Sequence, residues 1–123
     1  MALILLVEWR RDWQEIFKDV FDDEGYTTIM VEDGHQALAH LAHTQVDLII
    51  TNYLMPKTAK MNGLDFIEQL QANPVYKHIP ILVQSGDPTI ETDVFAAGAS
   101  AFIPKDQFNP SEMTTLINQC LRK

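Results

Sequence analysis

The sequence has a single cysteine, no long apolar run and few basic residues. The lone Cys120 excludes an internal disulfide, and its place in an apolar helical pattern indicates a packed side chain. The apolar start at residues 2–7 is far too short to span a bilayer and lacks the basic region of a signal peptide. We therefore expect a cytoplasmic protein that does not associate with membranes.

Basic residues are outnumbered, because 9 Lys and Arg stand against 17 Asp and Glu and give a net charge of −8. The tightest basic pair, Arg10-Arg11, has acidic neighbours, so the chain lacks the basic patch that nucleic-acid binding requires. Apolar residues at 46% and charged residues at 21% are typical of a globular protein. The length fits one domain, which we assign to residues 1–123.

Apolar segments alternate with amphipathic ones along the whole chain. The predicted strands are residues 3–7, 26–31, 46–51, 80–84 and 100–103. Apolar residues at helical spacing follow each strand, and Asp87 and Asn109 precede prolines as predicted N-caps of the last two helices. Strands separated by helices must lie parallel, with helices on both faces of the sheet. The prediction is a flavodoxin-like (βα)5 fold of the α/β class, a doubly wound parallel sheet with strand order 2-1-3-4-5.

Polar residues stand at the ends of strands one, three, four and five: Glu8, Asn52, Ser85 and Lys105. The carboxyl ends of parallel strands meet at the edge where open α/β sheets place their chemistry. A single polar residue at a strand end is often only a turn former, but these ends are expected to share one crevice. Asn52 is the most informative of them, because it ends an apolar run where a carboxylate nucleophile would be expected.

Over its whole length the chain resembles the response-regulator receiver domain of two-component signalling. The matching motifs are Ile4-Leu5-Leu6-Val7-Glu8, Glu32-Asp33-Gly34, Ala37-Leu38, Asp47-Leu48-Ile49-Ile50, Met55-Pro56, Asn62-Gly63-Leu64, Ile79-Pro80-Ile81, Ala97-Gly98-Ala99 and Pro104-Lys105. In that family, two acids after strand one and an aspartate after strand three hold Mg²⁺, and the aspartate accepts a phosphoryl group from a phosphohistidine. A hydroxyl after strand four and a lysine after strand five grip the phosphoryl oxygens.

The resemblance assigns roles residue by residue. Glu8 matches the first acid, Ser85 the hydroxyl and Lys105 the lysine. Phe102 occupies the position of the family's aromatic switch on strand five, and a single static rotamer is expected for it here. The segment between Met55-Pro56 and Gly63 is longer than the family's usual link and is expected to reshape or cover the pocket.

Two departures affect the same chemistry. Asn52 stands where the phosphoacceptor belongs, and a carboxamide is not a useful nucleophile toward phosphorus. Trp9 stands where the second acid belongs, which leaves Glu8 as the residual metal candidate. The family pattern carries three negative charges and one positive. Here the charges of Glu8 and Lys105 sum to zero, and the two side chains could pair directly. We therefore expect no cofactor and at most weak binding of Mg²⁺.

The sequence predicts a pseudo-receiver, which is a signalling domain and not an enzyme. It would act by phosphorylation-independent contact with an unidentified signalling protein, as a monomer or weak dimer. The resemblance places the contact face on helix four, strand five and helix five, at Thr89, Glu91, Thr92, Gln107 and Glu112.

Two alternatives stay open on the sequence. One is a conventional Mg²⁺-dependent receiver whose acceptor was altered by engineering or lies elsewhere, although Trp9 argues against engineering. The other is a small flavodoxin-like cofactor-binding protein. Such proteins need a phosphate loop rich in Ser, Thr and Gly after strand one, where this chain has Glu8-Trp9-Arg10-Arg11-Asp12.

Overall fold

The computed structural model describes residues 2–122, and within them one parallel sheet has the strand order β2-β1-β3-β4-β5. The strands are β1 (Leu3–Val7), β2 (Thr27–Val31), β3 (Leu48–Asn52), β4 (Ile81–Ser85) and β5 (Ala101–Pro104). The helices are α1 (Arg11–Glu24), α2 (Gly34–Leu41), α3 (Gly63–Ala72), α4 (Glu91–Ala97) and α5 (Pro110–Leu121). Short 3₁₀ turns occupy Lys57–Ala59, Pro88–Ile90 and Lys105–Gln107. The predicted fold class and strand order are confirmed.

The strand boundaries differ from the prediction by one or two residues. β3, β4 and β5 each begin and end later than predicted, so Asn52 and Ser85 are the last residues of their strands and not the first residues beyond them. The reason is backbone pairing, which continues past the last apolar side chain: Asn52 pairs with Gln84, and Ser85 pairs with Pro104.

Two side-chain caps and one glycine mark the ends of helical segments. The Asp87 side chain accepts a hydrogen bond from the Thr89 N–H and begins a 3₁₀ turn, so α4 itself starts one turn later than predicted. Asn109 caps α5 by accepting from two backbone N–H groups of its first turn. Gly25 ends α1 at φ 79°, in the left-handed region that glycine adopts without steric cost.

Two apolar clusters lie on opposite faces of the sheet. One packs under α1 and α5, and the other packs under α2, α3 and α4. Successive residues of a strand alternate between the faces, so Ile4 and Leu6 of β1 face α1 and α5. Glu8 continues that alternation and is thereby directed toward the same face at the carboxyl edge of the sheet. Within residues 2–122, none of the helices combines the length and the apolar character that crossing a membrane requires.

Candidate functional site

Glu8 lies at the carboxyl end of β1 and has no exposed surface. Its backbone N–H donates to the Val31 carbonyl at 2.9 Å, which extends the pairing of β1 with β2. Its backbone carbonyl accepts a hydrogen bond from Nε2 of Gln14 at 2.6 Å, which ties it to α1. The backbone of Glu8 is therefore fixed on both sides, and its carboxylate is held inside the edge of the sheet.

Four donors surround the Glu8 carboxylate. Oε1 accepts hydrogen bonds from Nζ of Lys105 at 2.8 Å and from Nε2 of Gln84 at 3.3 Å. Oε2 accepts from the backbone N–H of Arg10 at 3.0 Å and from Nδ2 of Asn52 at 3.3 Å. A carboxylate has about four lone-pair positions, so both oxygens of Glu8 are fully engaged.

Lys105 is the cation of this cluster, and its side chain is only 10% exposed. Its ammonium lies between the Glu8 carboxylate and the face of Trp13, 4.7 Å from the ring centroid. The Trp13 ring in turn packs edge-on against Phe108, at a centroid distance of 5.3 Å. Burial lowers the pKa of Lys105 from its ordinary value of 10.5, and the hydrogen bond and charge of Glu8 oppose that effect.

The charges within the cluster cancel. Glu8 and Lys105 form the ion pair that the sequence suggested, and Asn52 and Gln84 add only neutral amides. Mg²⁺ requires a near-octahedral set of oxygen ligands, usually including carboxylates. A divalent cation at Glu8 would have to displace donors that already occupy its oxygens, and the cluster offers no second carboxylate. The residues present therefore do not fit a Mg²⁺ ion as they stand.

The remaining predicted residues lie around this cluster and outside it. Ser85 accepts a hydrogen bond at Oγ from the Asp87 N–H at 3.0 Å and is not among the donors to Glu8. Trp9 is 37% exposed, and its Nε1 donates to the Leu54 carbonyl at 3.0 Å, which joins the segments that follow β1 and β3. Phe102 is half-buried and packs on the opposite face of the sheet. Of the predicted residues, the structure brings together Glu8, Asn52 and Lys105.

The long loop after β3 packs mainly on α2. Its 3₁₀ turn ends at Ala59, whose carbonyl oxygen lies 2.8 Å from Nε2 of His35 on α2. Ala59 and Met61 are buried in the cluster beneath α2, α3 and α4. Leu54, which is 61% exposed, is the residue of this loop that reaches Trp9. The additional residues therefore pack against α2, and Leu54 accepts the hydrogen bond from Trp9.

Two contributors were not predicted from the sequence. Gln84 pairs with Asn52 across β3 and β4, so their side chains lie on the same face of the sheet. A signal was present, because Gln84 is a polar residue at a buried position that continues the alternation of Leu82. Trp13 lies on the apolar face of α1, and helical spacing alone does not reveal the ammonium above its ring.

The residues of the expected contact face are all exposed. They are Thr89, Glu91, Thr92, Gln107 and Glu112. Thr89 donates two hydrogen bonds to Asp87, from its backbone N–H and from its hydroxyl, and these bonds lower the pKa of the Asp87 carboxyl. Phe95 on α4 is also partly exposed, which adds an apolar side chain to this region.

Comparison with known proteins gives consistent matches. The chain matches the response regulator receiver domain over residues 4–118. It is 32% identical over 123 residues to the transcriptional regulatory protein CpxR of Klebsiella pneumoniae, covering 100% of this chain and 50% of that protein. The chain thus spans half the length of this relative.

Two crystal structures have a similar backbone. The chemotaxis response regulator CheY4 of Vibrio cholerae superposes with a TM-score of 0.87 at 28% identity, covering 98% of this chain and 99% of that one. The receiver domain of a sensor histidine kinase from Pseudomonas aeruginosa has magnesium coordinated in its active-site cleft. It superposes with a TM-score of 0.87 at 20% identity, covering 99% of this chain and 98% of that one, which shows the shared fold alone.

Proposed function

The chain belongs to the response-regulator receiver family, and we propose that it is a degenerate receiver that signals through protein contacts without phosphoryl transfer. Receiver domains of two-component systems are in general signalling modules and not enzymes. The observation that carries the proposal is the buried ion pair between Glu8 and Lys105, with Asn52 beside it in place of an acceptor carboxylate.

The side chain of Asn52 supports the absence of an acceptor. Its Nδ2 group is directed at Oε2 of Glu8, so the amide is used as a hydrogen-bond donor within the cluster. An amide oxygen carries no full negative charge and is a poor nucleophile toward phosphorus. An aspartyl phosphate therefore cannot form at this position.

The surroundings of Glu8 support weak metal binding. Its two oxygens accept hydrogen bonds from an ammonium, a backbone N–H and two side-chain amides. Binding of Mg²⁺ would break several of these bonds and separate a buried ion pair, which costs free energy. We infer that Mg²⁺ binding is at most weak and that the domain works without a cofactor.

The proposed output is binding of another signalling protein at the face formed by α4, β5 and α5. We assign to this face five residues, all of them exposed: Thr89, Glu91, Thr92, Gln107 and Glu112. The net charge of −8 argues against nucleic-acid binding by this domain. We propose a cytoplasmic domain that is a monomer or a weak dimer.

Capture of a partner from the native cell extract tests this proposal. The immobilised protein is incubated with extract, with or without acetyl phosphate and Mg²⁺, and the bound partner is quantified. A partner captured equally under both conditions supports the proposal, and a partner captured only after acetyl phosphate treatment contradicts it. The double variant Glu91→Lys and Glu112→Lys should lose the partner.

A matched control separates the contact face from the overall charge. The double variant Glu15→Lys and Glu68→Lys makes the same change in net charge at exposed positions on α1 and α3. It should retain the partner at the level of the unaltered protein. Equal loss in both double variants would show that charge, and not the face of α4, β5 and α5, determines binding.

A further inference from the structure

We propose that Gln84 is a specificity-determining residue of this site. Its amide donates a hydrogen bond to the Glu8 carboxylate, which favours the pairing of Glu8 with Lys105 and disfavours the binding of a divalent cation. The inference rests on the proposed function, in which the site works without Mg²⁺. It concerns a residue on β4 that completes the set of donors around Glu8.

The position of Gln84 in the sheet gives it this role. Gln84 has no exposed surface, and it pairs with Asn52 of the neighbouring strand β3. The two amides therefore approach Glu8 from adjacent strands, with Nδ2 of Asn52 at Oε2 and Nε2 of Gln84 at Oε1, each at 3.3 Å. Each carboxylate oxygen receives one side-chain amide in addition to its other donor.

The orientation of the Gln84 amide is set by the charge of Glu8. Its Oε1 is buried and has no hydrogen-bond partner within the described part of the chain. A buried acceptor without a partner destabilises a fold. The reverse orientation would place that oxygen against the carboxylate, where two acceptors repel each other. The residue therefore serves the site through its N–H group, and an apolar side chain of similar size would avoid the unpartnered oxygen but lose this donor.

The Gln84 amide limits the number of lone pairs that Oε1 of Glu8 can offer to a metal ion. Asn52→Asp adds a second carboxylate and gives the cluster a formal charge of −1, which favours a divalent cation. In that variant Gln84 and Lys105 still occupy Oε1 of Glu8, so the oxygen is not free to coordinate a metal. Removing the Gln84 amide as well frees one position on Oε1. A hydrogen bond to a charged group is strong enough that ending its competition for the oxygen should change metal affinity by about tenfold.

Calorimetric titration with MgCl₂ tests the proposal on three variants. They are Asn52→Asp alone, Asn52→Asp with Gln84→Leu, and Asn52→Asp with Gln14→Leu. Gln14 is the matched control, because its amide donates to the backbone carbonyl of Glu8 and not to the carboxylate. We expect the Gln84 double variant to bind Mg²⁺ about tenfold more tightly than Asn52→Asp alone, because one competing hydrogen bond is gone. The Gln14 double variant should bind Mg²⁺ as Asn52→Asp alone does. Equal affinities in all three variants would overturn the proposal.

A second pair of measurements keeps the test decisive if a variant folds poorly. Gln84→Met preserves the length of the side chain, and the rise in melting temperature on adding MgCl₂ reports the affinity of the folded form. That rise should be larger for Asn52→Asp with Gln84→Met than for Asn52→Asp alone, and an equal rise contradicts the role of Gln84. Tight Mg²⁺ binding by the unaltered protein would refute the proposed function itself. Weak binding there, with no effect of Gln84, would refute only this inference.

Discussion

The ammonium nitrogen of Lys105 lies 2.8 Å from Oε1 of Glu8, and the Glu8 side chain has no exposed surface. The same ammonium lies over the ring of Trp13. A buried ion pair contributes little net stability relative to an apolar pair, because both charges lose their hydration. Removing one partner is costly, because the other charge then stays buried without compensation. The ion pair can therefore be tested by measuring the free energy of unfolding of variants that lack one partner.

Lys105→Met should lower the free energy of unfolding by about 3–5 kcal/mol, because it leaves the Glu8 carboxylate buried without its cation. Urea denaturation followed by circular dichroism measures the change. Lys18→Met is the matched control, since Lys18 pairs with Asp22 at 2.7 Å on the exposed surface of α1. The exposed pair should contribute far less, because solvent screens its two charges. Equal losses in the free energy of unfolding for the two substitutions would contradict the claim that Lys105→Met leaves the Glu8 carboxylate buried without a cation.

The pKa of Lys105 should lie below its ordinary value of 10.5 in the folded protein, because burial disfavours the ammonium. Glu8→Gln should lower that pKa further, since Glu8 opposes the shift through its hydrogen bond and charge. At pH values between the folded pKa and 10.5, Lys105 is protonated more in the unfolded chain than in the folded protein. The contribution of Lys105 to the free energy of unfolding therefore rises with pH over that range. Carbon-13 NMR titration of Cε measures the pKa, and a higher pKa in Glu8→Gln contradicts the account.

Trp9→Ala should loosen the loop after β3 with little effect on global stability. The substitution removes the ring and the hydrogen bond from Nε1 to the Leu54 carbonyl, a contact worth about 1 kcal/mol. Amide hydrogen exchange should become faster at residues 53–62. Trp9→Phe keeps an aromatic ring but not the donor, so it separates the two contributions. Unchanged exchange in both variants would show that Trp9 does not hold the loop.

Asn52→Asp restores a nucleophile but not the second acid, because Trp9 remains in place. After incubation with acetyl phosphate and Mg²⁺, the phosphorylated fraction should be larger for Asn52→Asp with Trp9→Asp than for Asn52→Asp alone, since Mg²⁺ gains another carboxylate ligand. Trp9→Asp alone should remain unphosphorylated and serves as the control. Intact mass measures the fraction. An equal fraction in the single Asn52 variant and the double variant would show that Trp9 does not limit the chemistry.

The predicted parts of the site depended on chain topology. Strict alternation of strands and helices requires parallel pairing, and parallel pairing brings Glu8, Asn52 and Lys105 to one edge of the sheet. The family resemblance supplied their roles. The carboxyl ends of β3, β4 and β5 were each misplaced by one residue, because backbone pairing extends beyond the apolar side chains that mark a strand in sequence.

The parts that were missed depend on side-chain direction and on distant packing. Gln84 directly precedes Ser85, and only their alternation on β4 decides which of them shares a face with Asn52. Trp13 contacts Lys105 although 92 positions of the chain separate them, and no local pattern reports such a contact. The burial of Ala59 and Met61 beneath α2 likewise depends on tertiary packing and not on a loop motif.

The most direct test of a receiver without phosphoryl transfer is the intact mass of the unaltered protein after incubation with acetyl phosphate and Mg²⁺. Asn52 offers no carboxylate, and the oxygens of Glu8 are occupied by Lys105, Gln84, Arg10 and Asn52 itself. We expect a mass identical to that of the untreated protein. A stoichiometric gain of one phosphoryl group would contradict it.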